Sequence, residues 1–542
     1  MKKFLSVILS LLITFACIIA VPFSVSATQY NDGYYTYTIY NDTATIVYCD
    51  TSIIGAITIP STLGGYSVTS IGYYAFKGCK TLTNITIPRS VTSIGKEAFK
   101  DCESLTSITI PKSVTSIGVN AFIGCTSLKR VNITDLAAWC KINFDISNAL
   151  YKCSNPLYYA KNLYINGVLA TDITIPDSVT KISSLAFYNC DSLTSVIIPD
   201  SVTIINSYTF YDCDSLTSIT LPESITSIGN SAFYSCGLTS VTIPDSVTNI
   251  DSYAFCACSL TSVTIPDQCN VGSYAFNDCR KLKNVTFVDC IVAADSITIG
   301  SYAFYNCDSL TSITLSDSVT SIGSYAFAYC DYLGSITIPP SVTSIGECAF
   351  AYCGLLYNIY ITDISKWCNI IFSDNYAPFT TSIYSTCYGT KRLHVNNQLL
   401  TDLEIPDDMQ IIGAYQFYNC DSIEKIYIPK SVVLIRKNAF FACQNIDTIY
   451  YEGTAEEWEM IAKLEGNDKI NDATVFYNSS GIPEQVDSDL DGDGIIGASD
   501  IVIMRRALLF SSDNDLTYDI SGDGKFNIID LICLKKIVVK TV

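Results

Sequence analysis

The chain has 542 residues, 49% of them hydrophobic, and a formal net charge of −20 at pH 7. That length exceeds one ordinary globular core, so the chain needs either several domains or an array that grows by stacking. The negative balance, with no basic patch to neutralise phosphates, excludes a nucleic-acid partner.

The chain opens on a targeting pattern. Lys2 and Lys3 precede an apolar run from Phe4 to about Ile19, and Val25-Ser26-Ala27 offers small residues for cleavage. A signal peptide over 1–27, cut after Ala27, is expected. Lipid attachment at Cys17 is the poorer reading, because Thr14-Phe15-Ala16 is a weak match before it. No later stretch holds the ~18 unbroken apolar residues of a membrane span. The expected address is secreted and extracellular, in a cell-surface complex. Residues 28–58 follow, with Tyr34-Tyr35-Thr36-Tyr37-Thr38-Ile39-Tyr40 alternating as a strand does. They are expected to cap the first repeat.

One sentence of about two dozen residues then recurs over 59–447, as in Ile87-Pro88-Arg89-Ser90-Val91-Thr92-Ser93-Ile94-Gly95 through Ala98-Phe99 and Cys102 to Leu105-Thr106-Ser107-Ile108-Thr109. The Phe-x-x-Cys step occurs thirteen times, from Phe76/Cys79 to Phe440/Cys443. A fixed period of this length marks a solenoid. Leu105, Ile108 and Ile110 should point inward and Thr106, Ser107 and Thr109 outward, with Pro111 ending the strand. Val91 and Ile94 should face inward from the opposite side of the coil, and Phe99 should fill the interior. The expected fold is therefore β-rich, with short strands in parallel stacked coils.

Cysteine use and interruptions carry the remaining signals. Thirteen of the 24 cysteines occupy one repeat slot, three after the Phe, and read as small buried thiols at a tight bend. Two long gaps break the period: 127–174, with Trp139-Cys140, and 355–404, with Trp367-Cys368. Within them Cys140 with Cys153, and Cys368 with Cys387, could each pair. Inserts in solenoids map to loops on one face, often the binding face. Trp139 and Trp367 are thus candidates for ligand contact, the other reading being that each staples its insert to the stack. A related tail around Trp458 should cap the end over 448–478.

On these residues the repeat resembles the BspA-type (Treponema pallidum-type) leucine-rich repeats of bacterial surface proteins. The resemblance implies binding to a protein or polysaccharide ligand, as in adhesion, and no catalysis.

A short polar linker, 479–486, leads to a different vocabulary. Asp489, Asp491, Asp493 and Asp500 stand at positions 1, 3, 5 and 12 of a loop with Gly494 at position 6, and the pattern returns from Asp519 to Asp530. Closely spaced carboxylates around a sharp Gly turn suit calcium, a hard cation that takes six to eight oxygens. An apolar-basic helix is expected after each loop, from Ile501 and from Leu531.

With Asp rather than Glu closing each loop, and an exit helix alone, residues 487–542 resemble a type I dockerin: a small all-α module with two F-hand loops. That resemblance implies two calcium ions. Asp489, Asp491, Asp493, the Ile495 carbonyl and Asp500 match the first ligand set; Asp519, Ser521, Asp523, the Lys525 carbonyl, Asn527 and Asp530 match the second. Gly497 leaves water to serve at position 9 of the first loop. It also implies a cohesin module of a scaffoldin as partner, through Ala498, Ser499, Arg505 and Arg506 in one half and Ile528, Ile529, Lys535 and Lys536 in the other. Ala-Ser against Ile-Ile argues for one preferred docking orientation.

No catalytic constellation emerges. The one histidine, His394, lies in an insert whose sister position is Tyr164, a poor base for a nucleophile. Asp191, Asp214, Asp308, Asp331 and Asp421 share one slot after Cys and read as solvated turn residues, not a facing acid–base pair. Tyr74, Tyr208, Tyr253, Tyr274, Tyr302, Tyr325 and Tyr415 share another slot, and if aligned they form an aromatic ridge suited to sugar rings or protein surface. Of these, Tyr253, Tyr274, Tyr302 and Tyr325 are the ligand candidates. The chain reads as a secreted, non-catalytic binding protein attached to a cellulosome-like scaffold. The alternatives are an adhesin with a calcium-stabilised tail, or a polysaccharide-degrading component.

Overall fold

The computed structural model describes residues 28–146, 154–288, 296–373, 391–482 and 501–503. It divides into two compact units, one ending at Val168 and the other beginning at Leu169.

The first unit starts with three antiparallel strands, Gln29–Asp32, Tyr35–Tyr40 and Thr43–Cys49, the last of which pairs in parallel with Tyr66–Ile71. From there each coil gives one strand to each of two sheets. The wide sheet holds Leu82–Thr86, Ser107–Ile110, Arg130–Ile133 and Leu163–Ile165 in parallel register. The narrow one holds Ser93–Ile94, Ser116–Ile117 and Asn143–Phe144. Alternation sets the faces: Leu105, Ile108 and Ile110 are buried, while Ser107 and Thr109 stay partly exposed. Parallel strands sit about 4.8 Å apart, so each residue lands on its counterpart in the next coil. Phe76, Phe99 and Phe122 accordingly form a column with centroids 5.1 and 5.3 Å apart.

The corners are bonded as thoroughly as the strands. Pro88 opens a turn in which Val91 N donates to its carbonyl, and Phe99 N donates to Ala121 O of the next coil at 2.8 Å. Few backbone groups at the bends are left to solvent, which lets a loop-rich coil stack indefinitely.

The second unit repeats this plan. One narrow sheet runs through eight strands from Ile204–Ile205 to Ile371–Phe372. A phenylalanine column runs from Phe187 to Phe350 with centroids 5.2–5.4 Å apart. Phe417 and Phe440 continue the packing beyond the second insert, 5.3 Å apart.

In their described residues the two interruptions of the period are coils written in other residues, in line with the staple reading more than with loops on a face. In the first, helix Leu136–Cys140, capped by the Asp135 carboxylate, leads into Asn143–Phe144, which pairs with Ser116–Ile117. In the second, helix Ile364–Cys368, capped by Asp363, leads into Ile371–Phe372, paired with Ser344–Ile345. The later parts, Leu163–Ile165 and Arg392–Val395, join the wide sheets. The tail does the same, with helix Ala455–Met460, strand Ala462–Lys463 and strand Thr474–Phe476. Arg392–Val395 then folds back on Gln398–Leu399 through Asn396 and Asn397, both left-handed (φ 51° and 66°). Such a two-residue turn matches strand twist and closes a sheet edge that would otherwise attract another chain.

Candidate functional site

Each corner places two residues in the left-handed region, one two before the Phe and one two after it. Tyr253, Tyr274, Tyr302 and Tyr325 hold the first slot, with φ between 56° and 61°. A left-handed conformation costs a non-glycine residue about 1–2 kcal/mol. Here it is held by coil-to-coil bonds such as Tyr274 N to Ser301 O, 3.0 Å.

These four rings do align, but against one another. Tyr253 and Tyr274 stack at 4.6 Å, Tyr274 and Tyr302 at 4.6 Å, and Tyr302 and Tyr325 at 4.9 Å, with planes within 8°. At that spacing no sugar ring enters between them, so the ridge offers ring edges and hydroxyls rather than faces. Burial raises the Tyr253 and Tyr302 phenols above their ordinary range, with neighbouring Tyr274 adding to the effect. The seven-residue ridge expected from sequence shrinks to this run of four. Tyr74 lies against Tyr73 and is followed at its slot by Glu97 and Asn120; Tyr208 stands between Leu185 and Ser231. A second aromatic file went unnoticed in the sequence: Tyr188, Tyr211 and Tyr234 stack at 4.9 and 4.6 Å. Its signal was the recurring Phe-Tyr pair after Ala or Thr.

Trp139 and Trp367 are interior residues, 1% and 3% exposed. Trp139 packs edge-on to Phe144, centroids 5.3 Å apart, and Trp367 packs the same way on Phe372 at 5.5 Å. Trp367 Nε1 donates to Gln416 O at 3.1 Å, and the Gln416 side chain returns a bond to Trp367 O. Their burial takes them off any ligand surface; each staples its coil to the stack. Trp458 does the same against Tyr451, at 5.2 Å.

The ladder thiols are buried. Burial pushes the Cys258, Cys140 and Cys368 thiols up to about 12, which keeps them protonated and poor nucleophiles. Cys153 and Cys387, the expected partners of Cys140 and Cys368, lie outside the described residues.

His394 bonds Asn358 Oδ1 at 3.2 Å and lies over Tyr360, with ring centroids 4.6 Å apart. Burial, with the Arg392 charge beside it, lowers its pKa from the ordinary imidazole value. Among the described residues no three His, Cys, Asp or Glu side chains converge to hold a metal. Nor is any helix there long and apolar enough to cross a membrane.

The signal-peptide residues, the calcium ligands from Asp489 to Asp530 and the cohesin-facing positions from Ala498 to Lys536 lie outside the described residues. Their donor chemistry suits a hard cation: two runs of oxygen-bearing side chains stand around a Gly turn.

Comparison with known proteins bears on both parts. The family model for the BspA type leucine rich repeat region matches residues 46–155, 164–261, 248–378 and 382–475. The model for the dockerin type I domain matches residues 487–538. No curated protein matches the chain. Among solved structures, a leucine-rich repeat protein from Bacteroides ovatus is 24% identical over 83% of this chain and 99% of its own, with a TM-score of 0.45. A leucine rich cell surface protein from Faecalibacterium prausnitzii is 26% identical over 81% and 98%, with a TM-score of 0.34. A leucine rich repeat protein of T. pallidum is 25% identical over 39% and 89%, with a TM-score of 0.27.

Proposed function

Because the chain belongs to the BspA-type leucine-rich-repeat family and carries a match to the type I dockerin domain, we propose that it is a secreted, non-catalytic binding subunit docked onto a cohesin-bearing scaffold. Type I dockerins bind calcium, and both matched families are module types that bind rather than catalyse. The solenoid takes a protein or polysaccharide ligand. The C-terminal module, filling its two loops with two calcium ions, attaches that cargo to a cohesin. The single observation that supports this most is the dockerin match over 487–538, which coincides with the doubled acidic loop.

Metal and folding are coupled in this reading. Without calcium the carboxylates of each loop repel one another and the cohesin-facing helices lose their support. Cohesin modules on beads should retain the full chain in calcium and release it in EDTA. Retention that survives EDTA overturns the proposal, and so does failure to bind any cohesin in calcium. Detectable turnover of plant polysaccharides overturns the non-catalytic part alone.

A further inference from the structure

On the outward face of the wide sheets, most ordinary coils show Ser and Thr in two rows, with Asn84, Asn284 and Ile197 as exceptions. Ser107 and Thr109 hold them in the first unit, Ser335 and Thr337 in the second. Where each Trp coil joins, the rows change. In the first unit Ser107 is followed in register by Arg130, and Thr109 by Asn132 and Tyr164. In the second, Ser335 is followed by Asn358 and Arg392, and Thr337 by Tyr360 and His394. Each hydroxyl floor thus ends against a taller wall that carries an arginine, an asparagine and a ring.

Three observations say what the wall is for. The combination occurs in both units, with Arg130 and Asn132 on one strand in the first and Asn358 and Arg392 on successive strands in the second. Arg130 lies with its guanidinium over the Tyr164 ring, 4.0 Å from the centroid, and a guanidinium carries its N–H donors in a fork that matches a carboxylate. Among the described residues neither Arg130 nor Arg392 makes an ion pair, a state they share with Arg89, Lys112 and Lys181, while Lys80, Arg280 and Lys437 each meet a carboxylate at 2.7–3.0 Å. What sets these two arginines apart is their place at the end of a hydroxyl floor, Arg130 over Tyr164 and Arg392 beside His394, where a carboxylate from outside can reach them. His394 is held toward its neutral form by burial and by Arg392, leaving the guanidinium as the cation of its wall.

We propose that each wall binds a uronic-acid residue of an acidic polysaccharide, on the reading above that the solenoid takes a ligand. The carboxylate pairs with Arg130 or Arg392. The sugar ring lies on the hydroxyl floor with its C–H face toward the exposed flank of the wall. Short Thr109 and Thr337 leave the room for it, and the Asn side chains reach its hydroxyls. A sugar fits better than an acidic peptide because the floor presents hydroxyls at Ser107, Thr109, Ser335 and Thr337, suited to a polyhydroxy ring more than to peptide side chains.

The test is affinity electrophoresis of the full chain in calcium through polygalacturonate, fully methyl-esterified polygalacturonate and poly-L-glutamate. Wild type should be retarded by polygalacturonate at least tenfold more strongly than by its methyl ester. R130Q/R392Q, with an unchanged melting temperature, should lose at least tenfold in retardation. Equal retardation by the methyl ester overturns the inference without any variant. Wild-type behaviour of R130Q/R392Q overturns it as well, and so does retention by poly-L-glutamate with none by polygalacturonate, which would assign the walls to acidic peptides. A chain that ignores polygalacturonate yet binds another ligand on glycan or protein arrays removes this inference and leaves the proposed function standing. A chain that binds nothing on either array removes both.

Discussion

The Cys102 thiol donates to the carbonyl oxygen of Phe76, 3.1 Å away and one coil earlier. The same relation recurs from Cys125 to Phe99, Cys236 to Phe210, Cys279 to Phe255 and Cys443 to Phe417. Phe must be buried to fill the coil, and its carbonyl is buried with it. A small side chain with a weak donor meets both needs, adding a second bond to an oxygen such as Phe76 O, which already accepts from Cys79 N, where Val would crowd the bend. Cys236→Ala should therefore destabilise the second unit by about 1–2 kcal/mol through the lost bond to Phe210 O and a small void. The midpoint of chemical denaturation checks it, and an unchanged midpoint would mean the bond contributes nothing.

Buried thiols, in the ladder and in the Trp coils alike, make the fold alkaline-sensitive. Burial holds Cys258, Cys140, Cys368 and Cys420 at about 12 when folded, against about 8.5 in the unfolded chain. Between those values the unfolded state binds fewer protons than the folded one, so the contribution present below about 8.5 is lost as pH rises. Each thiol removes up to about 1.4 kcal/mol per pH unit in that window. Stability should fall steeply from pH 8.5 to 10, and a flat denaturation profile across that range would refute this. Below pH 8 the same cysteines should resist alkylation in the native chain and label fully in denaturant, as read by mass spectrometry.

Trp367→Ala should cost about 3–5 kcal/mol, because it empties the site behind Phe372 and leaves a cavity. Trp367→Phe should cost less, since it keeps most of the packing and loses the bond to Gln416 O. Neither should alter ligand retention per folded molecule, the measurement that separates a staple from a contact residue.

In the tyrosine run, Tyr302→Asn keeps a residue tolerant of the left-handed slot and removes both stacked neighbours. Aromatic pairs contribute about 0.5–1.5 kcal/mol each beyond area burial, so the loss should be about 1–3 kcal/mol. Tyr302→Phe should be close to neutral. Thermal melts of the two variants decide whether stacking or the hydroxyl matters.

Chelation should divide the chain functionally. EDTA should abolish cohesin capture while the solenoid's melting transition stays where it was, since no acidic cluster among the described residues holds metal. A large drop in that transition would place a structural ion in the repeats.

The repeat announced its fold because every coil obeys the same alternation, and the thiol ladder followed from one slot being filled thirteen times. The Trp coils were harder to see. They lack the Phe-x-x-Cys corner, so they look like insertions until strand pairing shows Phe144 beside Ile117 and Leu163 beside Val131. The tyrosine ridge was overread, since alignment depends on which residue holds the slot in the next coil, and Glu97 or Leu185 ends a run. The arginine–aromatic walls were missed outright. Arg130 and Tyr164 are 34 positions apart, and only parallel register makes them neighbours.

Parallel coils have a mechanical consequence. In the second unit the hydrogen bonds between coils run along the direction in which coils succeed one another, with Thr474–Phe476 the last strand of its sheet. A load applied at that end along the direction of succession pulls along those bonds, not across them. They then open singly, from the Trp458 coil inward, as a zipper does. Under drag such a protein yields by peeling at low force and re-seats when the load is removed.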